Sequence, residues 1–183
     1  MPYSKPFVIL TITLCMFSCS DSIEKIKTDP LPSDWKTIEN KGYTMNYPIT
    51  WELDKSGEMG TDFLLYSPIE SQEDPFKENV KMISQDLSGQ NINLDEYVQV
   101  YENQIKKELK SSKIEQSVRL NLNGQDIHKI IYTGQQGAFK LKFEQYYCIE
   151  KEKAYSITLT CEEGSYNKHK VIGEQILNSL HFN

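Results

Sequence analysis

The side chains able to do covalent, metal or acid–base work are few. Beyond residue 19 the chain has only two cysteines, Cys148 and Cys161, and three histidines, His128, His169 and His181. The histidines fall on separate segments, with neither HxH nor HExxH spacing, so they do not form a zinc set, which needs three or four convergent ligands. No serine sits in a GxSxG elbow, and no glycine-rich loop is built to cradle phosphate. Glu70, Glu73, Asp74 and Glu78 cluster between Pro68 and beyond Pro75. Hard cations want several oxygens, yet the spacing is not that of an EF-hand, and a solvated loop is the expectation. Cys148 and Cys161 would lie near the turn and well along the return arm of one hairpin, roughly 15–20 Å apart at strand rise. A disulfide needs Cα atoms within about 7 Å, so two reduced, buried thiols are expected. Trp35, Tyr43, Tyr47 and Trp51 lie close in sequence. They form core and strand edge if buried, or a possible binding surface if exposed together. No catalytic constellation emerges, so the chain is not expected to be an enzyme, and no cofactor is expected.

The remaining reactive residue is Cys19. Residues 1–19 read MPYSKPFVILTITLCMFSC. Lys5 supplies a positive start, and an apolar, threonine-containing run from Phe7 to Phe17 follows. A permanent span needs about 20 apolar residues; this run suits the shorter core of a signal peptide. Ser18 precedes Cys19, and the polar residues Ser20, Asp21 and Ser22 follow. This arrangement resembles the lipobox of bacterial lipoproteins, with Met16 where leucine is usual and an atypical Phe17. The resemblance implies cleavage before Cys19, a diacylglycerol on its thiol and a fatty acyl group such as palmitate on the new amine. Cys15 is a poorer acceptor because bulky Leu14 precedes it. A plain secreted protein and an uncleaved anchor are the alternatives. Ser20 in place of aspartate implies sorting to an outer membrane rather than retention at an inner one, in a host with two membranes.

The chain of 183 residues has formal charge −6, and residues 1–18 carry only Lys5, so the processed chain stands at −7. That acidity excludes ordinary nucleic-acid binding, which relies on Lys and Arg displacing counterions, and it offers no overall pull toward anionic lipid. Hydrophobic residues make up 38% and charged ones 25%. The 11 Tyr against 7 Phe suit a half-wet sheet, with rings inward and hydroxyls in water. Residues 20–33, with Pro30 and Pro32, read as a flexible spacer. One domain is expected from residue 35 to 183.

Within it, Tyr43, Met45 and Tyr47 alternate before Pro48, the mark of a strand. Further strands are expected at 51–53, 61–66, 79–87, 114–122, 125–133, 138–149 and 154–161. Asn123-Gly124 is a type I′ hairpin signal. Residues 94–110 carry apolar groups at helical spacing. Asn93 and Glu96 form a capping box, with acids in the first turn and lysines in the last. A second helix is expected at 165–178, then a terminal strand at 179–182.

Taken in order, these segments resemble the PsbP-like family, which shares its fold with Ran-binding nuclear import factors and periplasmic DcrB-type proteins. The resemblance rests on Gly42–Pro48 with Trp51, on 74–80 (DPFKENV), on Leu94 to Tyr101 and on Asn123-Gly124. It continues in Ala154–Thr158 and in the closing Ser179-Leu180-His181-Phe182. It implies an α/β (α+β) fold: an antiparallel sheet of about six strands with helices on both faces. Known members are adaptors more than catalysts. The implied function is a membrane-anchored envelope lipoprotein acting as a non-catalytic binding or assembly module for a protein partner. A DcrB-type protein holding a small apolar ligand is the alternative, and an enzyme whose residues converge only in the fold comes last.

Overall fold

In the computed structural model, residues 23–26, 30–71, 73–74 and 76–183 are described. The expected signal peptide and Cys19 lie outside them. The strands are β1 (Glu24–Ile26), β2 (Trp35–Glu39), β3 (Tyr43–Pro48), β4 (Glu52–Asp54), β5 (Phe63–Tyr66) and β6 (Asn79–Asp86). After helix α1 (Leu94–Glu108) come β7 (Lys110–Leu122), β8 (Gln125–Gln136), β9 (Phe139–Glu150) and β10 (Lys153–Glu162). Helix α2 (Tyr166–Asn178) and β11 (His181–Phe182) close the chain.

Two sheets form. The large one has eight strands in the order β1-β7-β8-β9-β10-β6-β5-β4, and the small one three, β11-β3-β2. The expectation of about six strands therefore falls short. The long hairpins β7–β8 and β9–β10 do follow the sequence signals. Asn123 (φ 53°) and Gly124 (φ 89°) take the positive angles a type I′ turn needs. Seven of the eight match segments expected as strands; the eighth, β1, is a three-residue piece with no alternation of its own. Expected inside a flexible spacer, it pairs parallel with β7, Glu24 opposite Leu120 and Ile26 opposite Leu122. Ile26 packs against the core, which ties the strand down.

The helices cover opposite faces of the large sheet. On one face Leu94, Tyr97, Val98 and Ile105 of α1 meet Ile130, Tyr132, Leu141 and Phe143. On the other, Ile176 and Leu177 of α2 meet Ile157, Leu159 and Cys161, joined by Tyr43, Met45 and Tyr47 of the small sheet. Period-two alternation decides the sides: odd residues of β10 face α2, and even residues face α1. The small sheet exists because β11 pairs with β3, Phe182 opposite Tyr43. No local pattern encodes a contact between such distant segments.

Gly173 lets α2 sit this close. A Cβ there would lie 2.8 Å from Leu159 Cδ1 and closer still to Cδ2. Gly173→Ala is therefore expected to destabilise the domain by about 1–3 kcal/mol through overpacking. Urea unfolding measures this, and Leu159→Ala should relieve part of it in the double variant. An additive double variant would show that the two positions do not collide.

Beneath α2 the sheet carries a buried charge network. Glu144 is fully buried. Its Oε1 lies 2.5 Å from Lys129 Nζ, and its Oε2 accepts the Tyr166 hydroxyl at 2.6 Å. Lys129 also donates to Glu174 Oε1 on α2 at 3.0 Å. Tyr146 donates to Asn178 at 3.0 Å. Polar contacts as well as apolar ones thus hold α2 in place. Among the described residues no helix is long and apolar enough to cross a bilayer.

Candidate functional site

The capping box forms as expected: Asn93 Oδ1 accepts from the Glu96 amide, and Glu96 Oε2 from the Asn93 amide, each at 3.0 Å. It fixes the first turn of α1 beside β7 and β8. Alternation turns Ser117 and Arg119 of β7, and His128 of β8, toward that helix. Arg119 Nε donates to Asp126 Oδ1 at 3.1 Å, and the guanidinium makes a second bond to the same carboxylate. Its remaining arm reaches Asp95 Oδ1 at 2.5 Å. These pairs are solvent-exposed on the carboxylate side, so they fix geometry more than they add stability.

Two turns along α1, Ser117 Oγ donates to Glu102 Oε1 at 2.7 Å and lies 2.8 Å from His128 Nε2. A hydroxyl has one proton. With it given to Glu102, His128 Nε2–H must donate to Oγ, and Nδ1 is left as a lone pair, buried without a hydrogen-bond partner. Burial, and then the nearby Arg119 guanidinium, hold the imidazole below its ordinary pKa. The ring is neutral at pH 7. This runs opposite to an activated serine, where the hydroxyl donates to Nε2 and an acid orients Nδ1. The cluster is built to present acceptors. Asn93, Asp95, Glu96, Gln99, Glu102 and His128 line an open cleft of about 430 Å³.

The aromatic set from the sequence goes elsewhere. Tyr43, Tyr47 and Trp51 are 1%, 6% and 5% exposed, and Trp35 is half-buried against the same cluster. As a binding surface this set is corrected: Tyr43 and Tyr47 are core because β3 is the middle strand of the small sheet and turns its odd residues inward, and Trp51, just beyond β3, packs into the same cluster. Tyr43 stacks edge-on against Tyr155 at 5.8 Å and donates to Asp62 at 3.2 Å. Cys148 and Cys161 are free and buried, as expected, and burial pushes both thiols far up from their ordinary pKa.

The acidic loop is only partly solvated. Glu78 is 1% exposed and accepts the Ser165 hydroxyl at 2.5 Å. His169, also buried, lies 3.1 Å from Glu70 and 3.7 Å from Glu78. The signal was present: Glu78, Val80 and Met82 share one strand face, so the inward alternation of β6 extends back to the glutamate. Glu73 stays exposed, and His181 is exposed on β11. Among the described residues no three His, Cys, Asp or Glu side chains are placed to hold a metal ion.

No family model matches the chain, and neither does any curated protein. Solved structures do. The cyanobacterial PsbP protein of Synechocystis superposes with a TM-score of 0.63 at 16% identity, covering 83% of this chain and 94% of that one. LpqN of Mycobacterium tuberculosis, described as involved in cell envelope biogenesis, gives 0.60 at 9% identity over 81% and 90%. A Pseudomonas aeruginosa protein of unknown function, described as a putative regulator, gives 0.57 at 14% over 79% and 94%. The chain has the PsbP-like fold.

Proposed function

We propose that this PsbP-like domain is an envelope lipoprotein, anchored through acylated Cys19, that binds a protein partner without chemistry of its own. The observation that carries the binding reading is the α1–β7–β8 cleft. Its carboxylates Asp95 and Glu102 are held by Arg119 and Ser117, its imidazole is neutral, and its serine proton goes to Glu102 and not to His128. Pre-set acceptors of this kind suit a partner segment bearing Lys or Arg. The involvement of LpqN in cell envelope biogenesis supports the compartment, and Ser20 favours an outer membrane over an inner one.

Two variants test the two halves separately. Cys19→Ala is expected to leave the membrane fraction for the soluble one, because two or three acyl chains hold a protein on a bilayer almost permanently. A Cys19→Ala protein that stays membrane-bound refutes the anchor. Asp95→Asn with Glu102→Gln is expected to remain membrane-bound and to lose, by about tenfold or more, the partner captured by wild type from solubilised membranes, with those charges gone from the interface. Unchanged capture moves the binding surface off the cleft.

A further inference from the structure

We infer that the lysine-bearing end of the β7 edge is a lipid-facing surface, which meets anionic headgroups while the anchor at Cys19 holds the domain. The inference rests on the anchor proposed above. Pairing of β1 with β7 fixes the chain at Glu24, beside Leu120. From Cys19 to Glu24 is five residue steps, a leash of at most about 18 Å. The β1–β7 edge is thereby kept next to the bilayer.

Two surfaces of opposite sign adjoin this edge. Around the cleft stand Asp95, Glu96 and Asp126. At the other end, Lys106 and Lys107 close α1 and Lys110 and Lys113 open β7. All four are exposed, and none is in an ion pair among the described residues. Lys140 of β9 joins them: Gln135 of β8 lies opposite both Lys110 and Lys140, which sets the two lysines across one line of the sheet. From Leu120 back to Lys113 is about 23 Å along β7. The leash falls about 5 Å short of that, within the depth of one headgroup layer.

The helix dipole accounts for Lys106 and Lys107, but not for Lys110, Lys113 or Lys140. The next residue to Lys140, Phe139, is exposed and packs its ring on Phe76 at 5.3 Å, an apolar pair beside cations, the combination found on amphipathic surfaces that lie in a membrane interface. Exposed Glu108 of α1, and Glu162 and Glu163 beside Lys140, offset part of this charge, and the smaller local excess that remains is concealed by the net charge of −7. With the lysines on the lipid, the acidic cleft at the first turn of α1 points away from the bilayer. The 15 residues of α1 separate the two by about 22 Å.

The test uses the acylated full chain in vesicles of phosphatidylcholine, with and without phosphatidylglycerol, probed by lysine acetylation and peptide mass spectrometry. Lys106, Lys107, Lys110, Lys113 and Lys140 are expected to react at least about fivefold more slowly on the anionic vesicles. Exposed Lys36 and Lys55 should be unchanged, and high salt should abolish the difference. Lys110→Gln with Lys113→Gln should remove the protection of the other three while leaving the protein membrane-bound. Equal labelling on both vesicles overturns the inference. So does protection on both that ignores salt, which would mean that a second copy covers the edge. Protection only in native membranes assigns this end to a protein partner and overturns it too. The N-terminal peptide mass reports the anchor separately: an unmodified Cys19 refutes the anchor, and the orientation falls with it.

Discussion

Raising the pH past 10 is expected to unfold the domain cooperatively. Tyr43, Tyr97, Tyr132, Tyr146, Tyr147 and Tyr166 are all buried, and burial is the main cause raising each phenol well above its ordinary value of 10. Above pH 10 the unfolded chain gives up these protons and the folded chain keeps them. The native state then binds more protons, so stability is complete below pH 10 and falls as pH rises. Each phenol contributes a slope of about 1.4 kcal/mol per pH unit, and six together about 8. A domain stable by about 5–15 kcal/mol should therefore lose its fold between about pH 10.5 and 12. Phenolate absorbance and circular dichroism measure this together. These six phenols should ionise in step with the loss of structure. Ionisation of all the tyrosines with the fold intact would refute the argument. Tyr147→Phe should raise the midpoint, because it removes one of the six protons and a buried hydroxyl that has no partner.

Those phenols also mark where reading the sequence stopped. Eleven tyrosines suggested hydroxyls in water, but Tyr132, Tyr146 and Tyr166 turn theirs inward onto Gln145, Asn178 and Glu144. On β9 the odd face, with Leu141 and Phe143, announced itself as an apolar alternation. The even face holds Glu144 beside Tyr146 and Cys148, and one charge in the pattern hides that it is equally buried. Helix α1 was legible because its cap, its dipole charges and its apolar stripe are all local. The cleft was not. Asp95, Ser117, Arg119, Asp126 and His128 are ordinary residues on three elements, and only the β7–β8 register, with Arg119 opposite His128, brings them together. The same holds for Trp35, Tyr43, Tyr47 and Trp51. Their clustering in sequence was real, but whether they faced water depended on β11 returning to pair with β3.

Lys129→Met is expected to be the most damaging single substitution outside the apolar core, at about 3–5 kcal/mol, because it strands a buried carboxylate. Burial raises the Glu144 pKa, and Lys129 and the Tyr166 hydroxyl pull it back down. Lys129 itself, despite burial, ends above its ordinary value because Glu144 and Glu174 hold its proton. The 2.5 Å contact with the Lys129 ammonium favours the charged form of Glu144. Without Lys129 the Glu144 carboxyl is left mainly to desolvation, and its pKa climbs further. A carboxyl whose folded pKa exceeds the unfolded value of about 4.3 binds a proton on folding, so its contribution is present at low pH and lost as pH rises through the folded value. The variant should therefore regain stability as pH falls from 7 toward 5. Lys129→Met with Glu144→Leu should recover most of the loss, since an apolar pair of similar volume replaces a buried ion pair at little cost. Denaturant unfolding of the two single variants and the double closes the cycle, with a coupling of about 2 kcal/mol or more expected for groups sharing one network. Additive losses, or a Lys129→Met variant as stable as wild type at pH 7, would show that Glu144 is solvated through a path the fold does not reveal, and that α2 is held by Ile176, Leu177 and the close approach at Gly173 alone.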